Sequence, residues 1–167
     1  MPAAHCRAVL GLALLAMPTL GHAATAPAEP GLPPPFAELG LDPATADRAT
    51  IATAVARLGY PPLTGDLLPG AVWTAYHTIH PTTDVQLTFL YDIGDEQPFV
   101  TAFSFPLDHG ADLAAMTADL EARLGPAQRR DPQGSWRWEA APGRWISVIP
   151  TSSAVQVAYT RTQRLSY

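Results

Sequence analysis

The chain predicts an α+β fold, tandem αβββ repeats that build an antiparallel sheet with two helices on one face. Three observations carry this expectation. Two segments with helical spacing end alike, in Ala56-Arg57-Leu58-Gly59 and in Ala122-Arg123-Leu124-Gly125. Each is followed by three stretches that alternate apolar and polar residues between turn signals. Pro81-Thr82-Thr83-Asp84-Val85-Gln86-Leu87 in the first set is answered by Pro150-Thr151-Ser152-Ser153-Ala154-Val155-Gln156-Val157 in the second. The two anchors occur in the same order and point to duplication, with repeat one over about 41–106 and repeat two over about 107–160. Convergence on helix-stop and hairpin chemistry is the competing explanation of the same residues.

The first 23 residues read as a leader. Arg7 precedes an apolar run, Ala8 to Met17, and Pro18 and Gly21-His22-Ala23 supply a break and small residues for cleavage after Ala23, or alternatively after Ala26. A run of about ten is half of the roughly 20 residues that a spanning helix needs. The expectation is a signal peptide, a periplasmic or secreted mature chain and no stable membrane insertion. Cys6, the one cysteine, lies before the apolar run, so the mature chain has no thiol for a disulfide, a nucleophile or a metal. Residues 24–40 read as a Pro/Ala-rich spacer, 41–160 as one domain and 161–167 as a polar tail.

In the first unit, Asp42 is the expected N-cap and Pro43 the first helical residue. Ile51, Val55 and Leu58 share a helical face, and Gly59 with Pro61-Pro62 stops it. Strands are expected over 71–80, 85–91 and 99–105. Val85, Leu87, Phe89 and Tyr91 lie on one face of the second, and Phe99, Phe103 and Phe105 on one side of the third. In the second unit Asp108 is the candidate N-cap of a helix lined by Leu113, Met116, Leu120 and Leu124. Three more strands follow, over 135–139, 145–149 and 154–160.

Charge is distributed unevenly. From Thr25 to Gly110 there are ten acids and two arginines, a balance of −8; from Ala111 to Tyr167 there are five acids and seven arginines, or +2. The chain has no lysine. Nucleic-acid binding wants a basic face and is not expected. An acidic surface instead steers a basic partner, or serves solubility alone.

Catalytic chemistry finds no foothold in the spacing. His77 and His80 point to opposite faces of a strand and cannot share a metal, and His77 reads as a core or core-edge residue. His109 follows Asp108 at an expected helix start, where capping accounts for the polar pair. Ser104 lies mid-strand without the glycines of a nucleophile elbow. Neither a phosphate loop nor a dinucleotide fingerprint is present. No catalytic, cofactor-binding or metal residue is therefore assigned. Asp92, Asp95 and Glu96 form an acidic hairpin loop without calcium-loop spacing, able to meet a partner's basic group. Trp136, Arg137, Trp138, Arg144 and Trp145 combine aromatics with arginine, the composition of protein-binding hot spots. These eight are the candidate partner-binding residues, although for the tryptophans a core role is the default.

The tandem pattern of Leu113 to Tyr159 and its earlier twin resembles, in element order alone, the secreted β-lactamase inhibitor protein type. It is also similar to periplasmic immunity proteins. The resemblance implies a concave sheet surface that occludes another protein, and it transfers no individual residue. The lack of cysteine in the mature chain departs from inhibitor repeats held by disulfides. The expected function is thus an exported protein-binding module, an inhibitor or immunity protein against an effector or envelope-targeting enzyme. The alternative is a small-ligand or envelope-component binding domain.

Overall fold

Two aspartates set the helices. A computed structural model describes residues 32–66, 71–130 and 134–161, the side chains of 129 and 130 excepted; the leader and the tail beyond Arg161 lie outside the described residues. Asp47 caps the first helix, α1 (Arg48–Arg57), by accepting a hydrogen bond from the Thr50 N–H at 2.7 Å. That bond holds the Asp47 carboxyl below its usual range. Asp112 caps the second, α2 (Leu113–Leu124), by accepting from the N–H groups of Ala114 and Ala115. Both caps lie downstream of the expected positions. Asp42 instead closes a separate turn, accepting from Ala44 N–H, and Asp108 sits in a 3-10 turn, Leu107–His109, ended by left-handed Gly110. In each case a second aspartate four or five residues on offers a cap with an uninterrupted helix after it.

Among the described residues eight strands form one antiparallel sheet. They are β1 (Thr64–Asp66), β2 (Trp73–Ile79), β3 (Gln86–Asp92), β4 (Val100–Pro106), β5 (Arg129–Arg130), β6 (Trp136–Ala141), β7 (Arg144–Pro150) and β8 (Ala154–Thr160). Their spatial order is β1-β2-β3-β4-β8-β7-β6-β5, so the two halves of the chain meet at their last strands. β4 and β8 pair along their full length, Val100 opposite Thr160 and Pro106 opposite Ala154. The six expected strands are present within two residues of their expected ends; the short edges β1 and β5 were not foreseen.

One face of the sheet carries the core. Leu87, Phe89 and Tyr91 of β3 alternate inward, as do Ile146 and Val148 of β7 and Val155, Val157 and Tyr159 of β8. They join Ile51 and Val55 of α1 and Leu120 of α2 in a single apolar cluster, which places both helices on that face. Each such burial contributes about 1.5–3 kcal/mol. Phe99 departs from expectation: it precedes β4, where the pleat has not begun, and packs with Leu90 and Val100 in a separate small cluster.

The spacer is shorter than expected. Phe36–Leu39 form a 3-10 turn, and Phe36 and Leu39 are fully buried, so the fold includes residues assigned to the linker. The Phe36 ring meets Phe103 edge-on and Tyr159 tilted, each with centroids 5.6 Å apart. An apolar aromatic seat at the centre of the sheet outweighs the Pro-rich composition around it.

Each Ala-Arg-Leu-Gly segment lies at a helix end, but α1 stops at Arg57 with Leu58 as its C-cap and α2 stops at Leu124 with Gly125 as its C-cap; both glycines have positive φ, +87° at Gly59 and +81° at Gly125. The strand anchors do not occupy equivalent places. Val85-Gln86-Leu87 lies at the start of β3, the next-to-last strand of its half, and Val155-Gln156-Val157 lies on β8, the last. Among the described residues each half contains one α-helix and four strands, counting its short edge.

Candidate functional interface

Among the described residues no helix lies on the opposite face of the sheet. Its small cluster, Val100, Ala102 and Ala158 with Leu90 and Phe99, contains no residue of α1 or α2. Register defines what this face presents. His77, Thr88, Ala102, Ala158, Ser147 and Arg137 stand opposite one another in a row across β2, β3, β4, β8, β7 and β6. At strand spacing the row is roughly 24 Å long. Its middle is made of small side chains. The neighbouring row, Leu90, Val100, Thr160, Trp145 and Glu139, is bulkier and more apolar.

The row ends differ in charge. At one end His77 Nδ1 lies 3.4 Å from Asp66, and Asp92 follows on the same face of β3. At the other, the Arg137 guanidinium sits over the Trp145 ring, 4.5 Å from its centre. Trp145 is half-buried there, and its indole N–H is buried with no hydrogen-bond partner, so stacking rather than hydrogen bonding holds the ring. His77 is thus not a core residue; its strand turns it to the helix-free side. His80, by contrast, packs edge-on against Tyr60, which borders the core.

Strand alternation divides the candidate partner-binding residues. Arg137 and Trp145 face the helix-free side. Trp138 faces the core, is 1% exposed and donates its indole N–H to the Gly125 carbonyl at 3.1 Å, pinning the end of α2 to β6. A partner cannot reach it, and its assignment to a binding surface is corrected to a core role. Trp136, two residues away, also faces the core and packs at its edge. Arg144 turns the same way and forms an ion pair with Asp42 and a 3.3 Å hydrogen bond to the Tyr159 hydroxyl. The Tyr159 hydroxyl holds the Arg144 guanidinium above its ordinary value, and burial raises Tyr159 in turn. Arg144 is an internal strut between the Asp42 turn and the sheet.

The acidic loop is anchored as well. Asp95 accepts a hydrogen bond from Arg161 at 3.1 Å, and Arg161 also donates to Gln97 at 2.8 Å. The end of β8 therefore fixes the loop's shape and neutralises one of its charges. Glu96 and Ile93 remain exposed at the tip.

A second feature lies on the helix side. A cleft of about 550 Å³ opens between the Asp42 turn, the end of α2 and the β6–β7 turn, walled by Leu32, Leu41, Leu124 and Ala140 with Arg144 and Tyr159. Sequence spacing had no means of bringing Asp42, Arg144 and Tyr159 together, because that depends on the pairing of β7 with β8 and on where the chain enters the fold. Among the described residues no three metal-ligating side chains converge, and no helix is long and apolar enough to cross a membrane. Comparisons of the chain with protein families, with characterised proteins and with solved structures give no match.

Proposed function

We propose that the chain is an exported protein-binding module, an inhibitor or immunity protein of the periplasm, which covers its target with the helix-free face of the sheet. The supporting observation is that face: six strands wide, uncovered by helices, small in the middle and ringed by Leu90, Trp145 and Arg137. Small side chains let a partner's side chains approach the sheet closely, while a half-buried tryptophan stacked under arginine is hot-spot chemistry. The leader over residues 1–23 supports export. The target is a basic effector or envelope-targeting enzyme, drawn by Asp66, Asp92 and Glu96 at one end of the surface. The two halves, each a helix and four strands, are the products of duplication, supported by the matching helix ends. Function then lies where the halves differ, in the acidic loop of one and in the Arg137–Trp145 pair of the other.

The test is affinity capture from periplasmic extract and from purified candidate effectors. Wild type should retain one target, and Asp92→Asn/Glu96→Gln should retain several-fold less at low salt. Equal retention by both proteins would overturn the basic-partner reading, and absence of any specific target would overturn the function.

The cleft beside Arg144 and Tyr159 favours a second reading, binding of a small envelope component. Native mass spectrometry of protein isolated from cells separates the two: a bound molecule lost on Leu41→Trp would favour the cleft.

A further inference from the structure

The helix side carries a groove that the sheet-face reading leaves unused. It runs along α2 in two lobes of about 460 and 340 Å³, and Phe105, Ala115 and Met116 line both. Val85 and Pro106 complete the floor of the first lobe, and Leu120 and Val157 that of the second. The α2 residues on its wall run from Asp112 to Leu120, about 12 Å along the helix. Phe105 and Met116 are only part-buried, although they pack on the core. Methionine at the junction of two apolar lobes is an adaptable surface for more than one side-chain shape.

The rim is acidic. Glu38 and Asp119 border the second lobe and Asp112 the first. Asp84 stands behind the first lobe, 3.4 Å from His109. Arg123, beside this rim, is held by Asp119 at 2.9 Å. An apolar slot with acids on its margins is complementary to an apolar segment that carries cations.

We propose that this groove docks a basic amphipathic segment of another protein, with two apolar side chains about one helical heptad apart entering the two lobes and Lys or Arg facing Glu38 beside the second lobe and Asp112 beside the first. In a helical segment those two side chains would stand about 10 Å apart, within the length of the groove. The site is on the opposite side from the helix-free sheet face, so its fate is independent of the proposed function.

The probe is a fluorescein-labelled peptide of leucine and lysine at helical spacing, compared with the same peptide carrying glutamate for lysine. Binding to the chain from residue 24 onward is followed by anisotropy. The leucine–lysine peptide should bind saturably at one site and weaken as salt rises. Ala115→Trp, which fills the junction from an exposed helix position, should lower affinity at least tenfold, with an unchanged circular dichroism spectrum. Glu38→Gln keeps the groove open and should lower affinity several-fold. No saturable binding, equal binding of the glutamate peptide, or full binding by a folded Ala115→Trp protein would overturn the proposal. Sedimentation adds a further arm: a wild-type dimer that Ala115→Trp converts to monomer would make the occupant a second copy and overturn the assignment to a different protein.

Discussion

Replacing Phe36 by alanine tests whether the domain begins before residue 41. Phe36 is fully buried, and its ring touches Phe103 and Tyr159 from the two central strands. Removing a buried phenylalanine side chain costs about 3–5 kcal/mol, the transfer term plus that of the cavity left between the 3-10 turn and the sheet. Whole-domain stability is on the order of 5–15 kcal/mol, so the loss is a large fraction of it. For a domain of this size about 3–5 °C accompanies each kcal/mol, which places the fall in Tm at about 10–25 °C. Urea denaturation followed by tryptophan fluorescence measures it, because Trp138 is buried and reports the loss of the core. Val72→Ala is the control, since Val72 is 73% exposed and should change stability by less than about 0.5 kcal/mol. A Phe36→Ala loss below about 1 kcal/mol would refute the inclusion of this turn in the fold.

Three further outcomes are expected. Asp112→Ala removes the acceptor for two amide groups at the start of α2 and should cost about 1 kcal/mol in the same denaturation assay, whereas Asp108→Ala should cost little. Gly65→Val should detach β1, because a Cβ at Gly65 would stand 2.7 Å from the Tyr76 ring; hydrogen exchange at Thr64–Asp66 should accelerate while that of β3 and β8 is unchanged. Burial pushes the Tyr91 hydroxyl from 10.0 up to about 12. The folded state then holds that proton more tightly than the unfolded one, so stability should be level below pH about 10 and fall between pH about 10 and about 12. Tyr91→Phe should make that part of the profile shallower in a series of thermal melts, leaving the share of Tyr60 and Tyr159, which burial also raises.

Periodicity made the six main strands and both helices legible, since Leu87, Phe89 and Tyr91 or Ile146 and Val148 repeat at the spacing that a half-buried strand requires. Helix starts were harder. Asp42, Asp47, Asp108 and Asp112 are chemically alike, and the choice between members of each pair depends on where the chain must turn: Asp42 also holds Arg144, and Gly110 breaks the backbone after Asp108. Composition misassigned Phe36 and Leu39, because the prolines around them suit a linker and the reason for their burial lies about 70 and 120 residues away. The division of the arginine–tryptophan cluster needed only strand alternation together with the knowledge of which face the helices cover. Pairing of β4 with β8, which creates the broad helix-free face, is a contact between halves that no local pattern encodes.

The most direct test of the central claim is a binding titration between the captured target and two surface variants of this protein. Thr88→Arg/Gln156→Arg places bulk and charge on the helix-free face at half-buried positions, and Glu121→Arg changes charge on exposed α2. Both should fold as wild type does. The sheet-face variant should weaken the target's Kd at least a hundredfold and Glu121→Arg by less than threefold. Unchanged affinity in Thr88→Arg/Gln156→Arg, with its native spectrum intact, would contradict the assignment of that face as the binding surface.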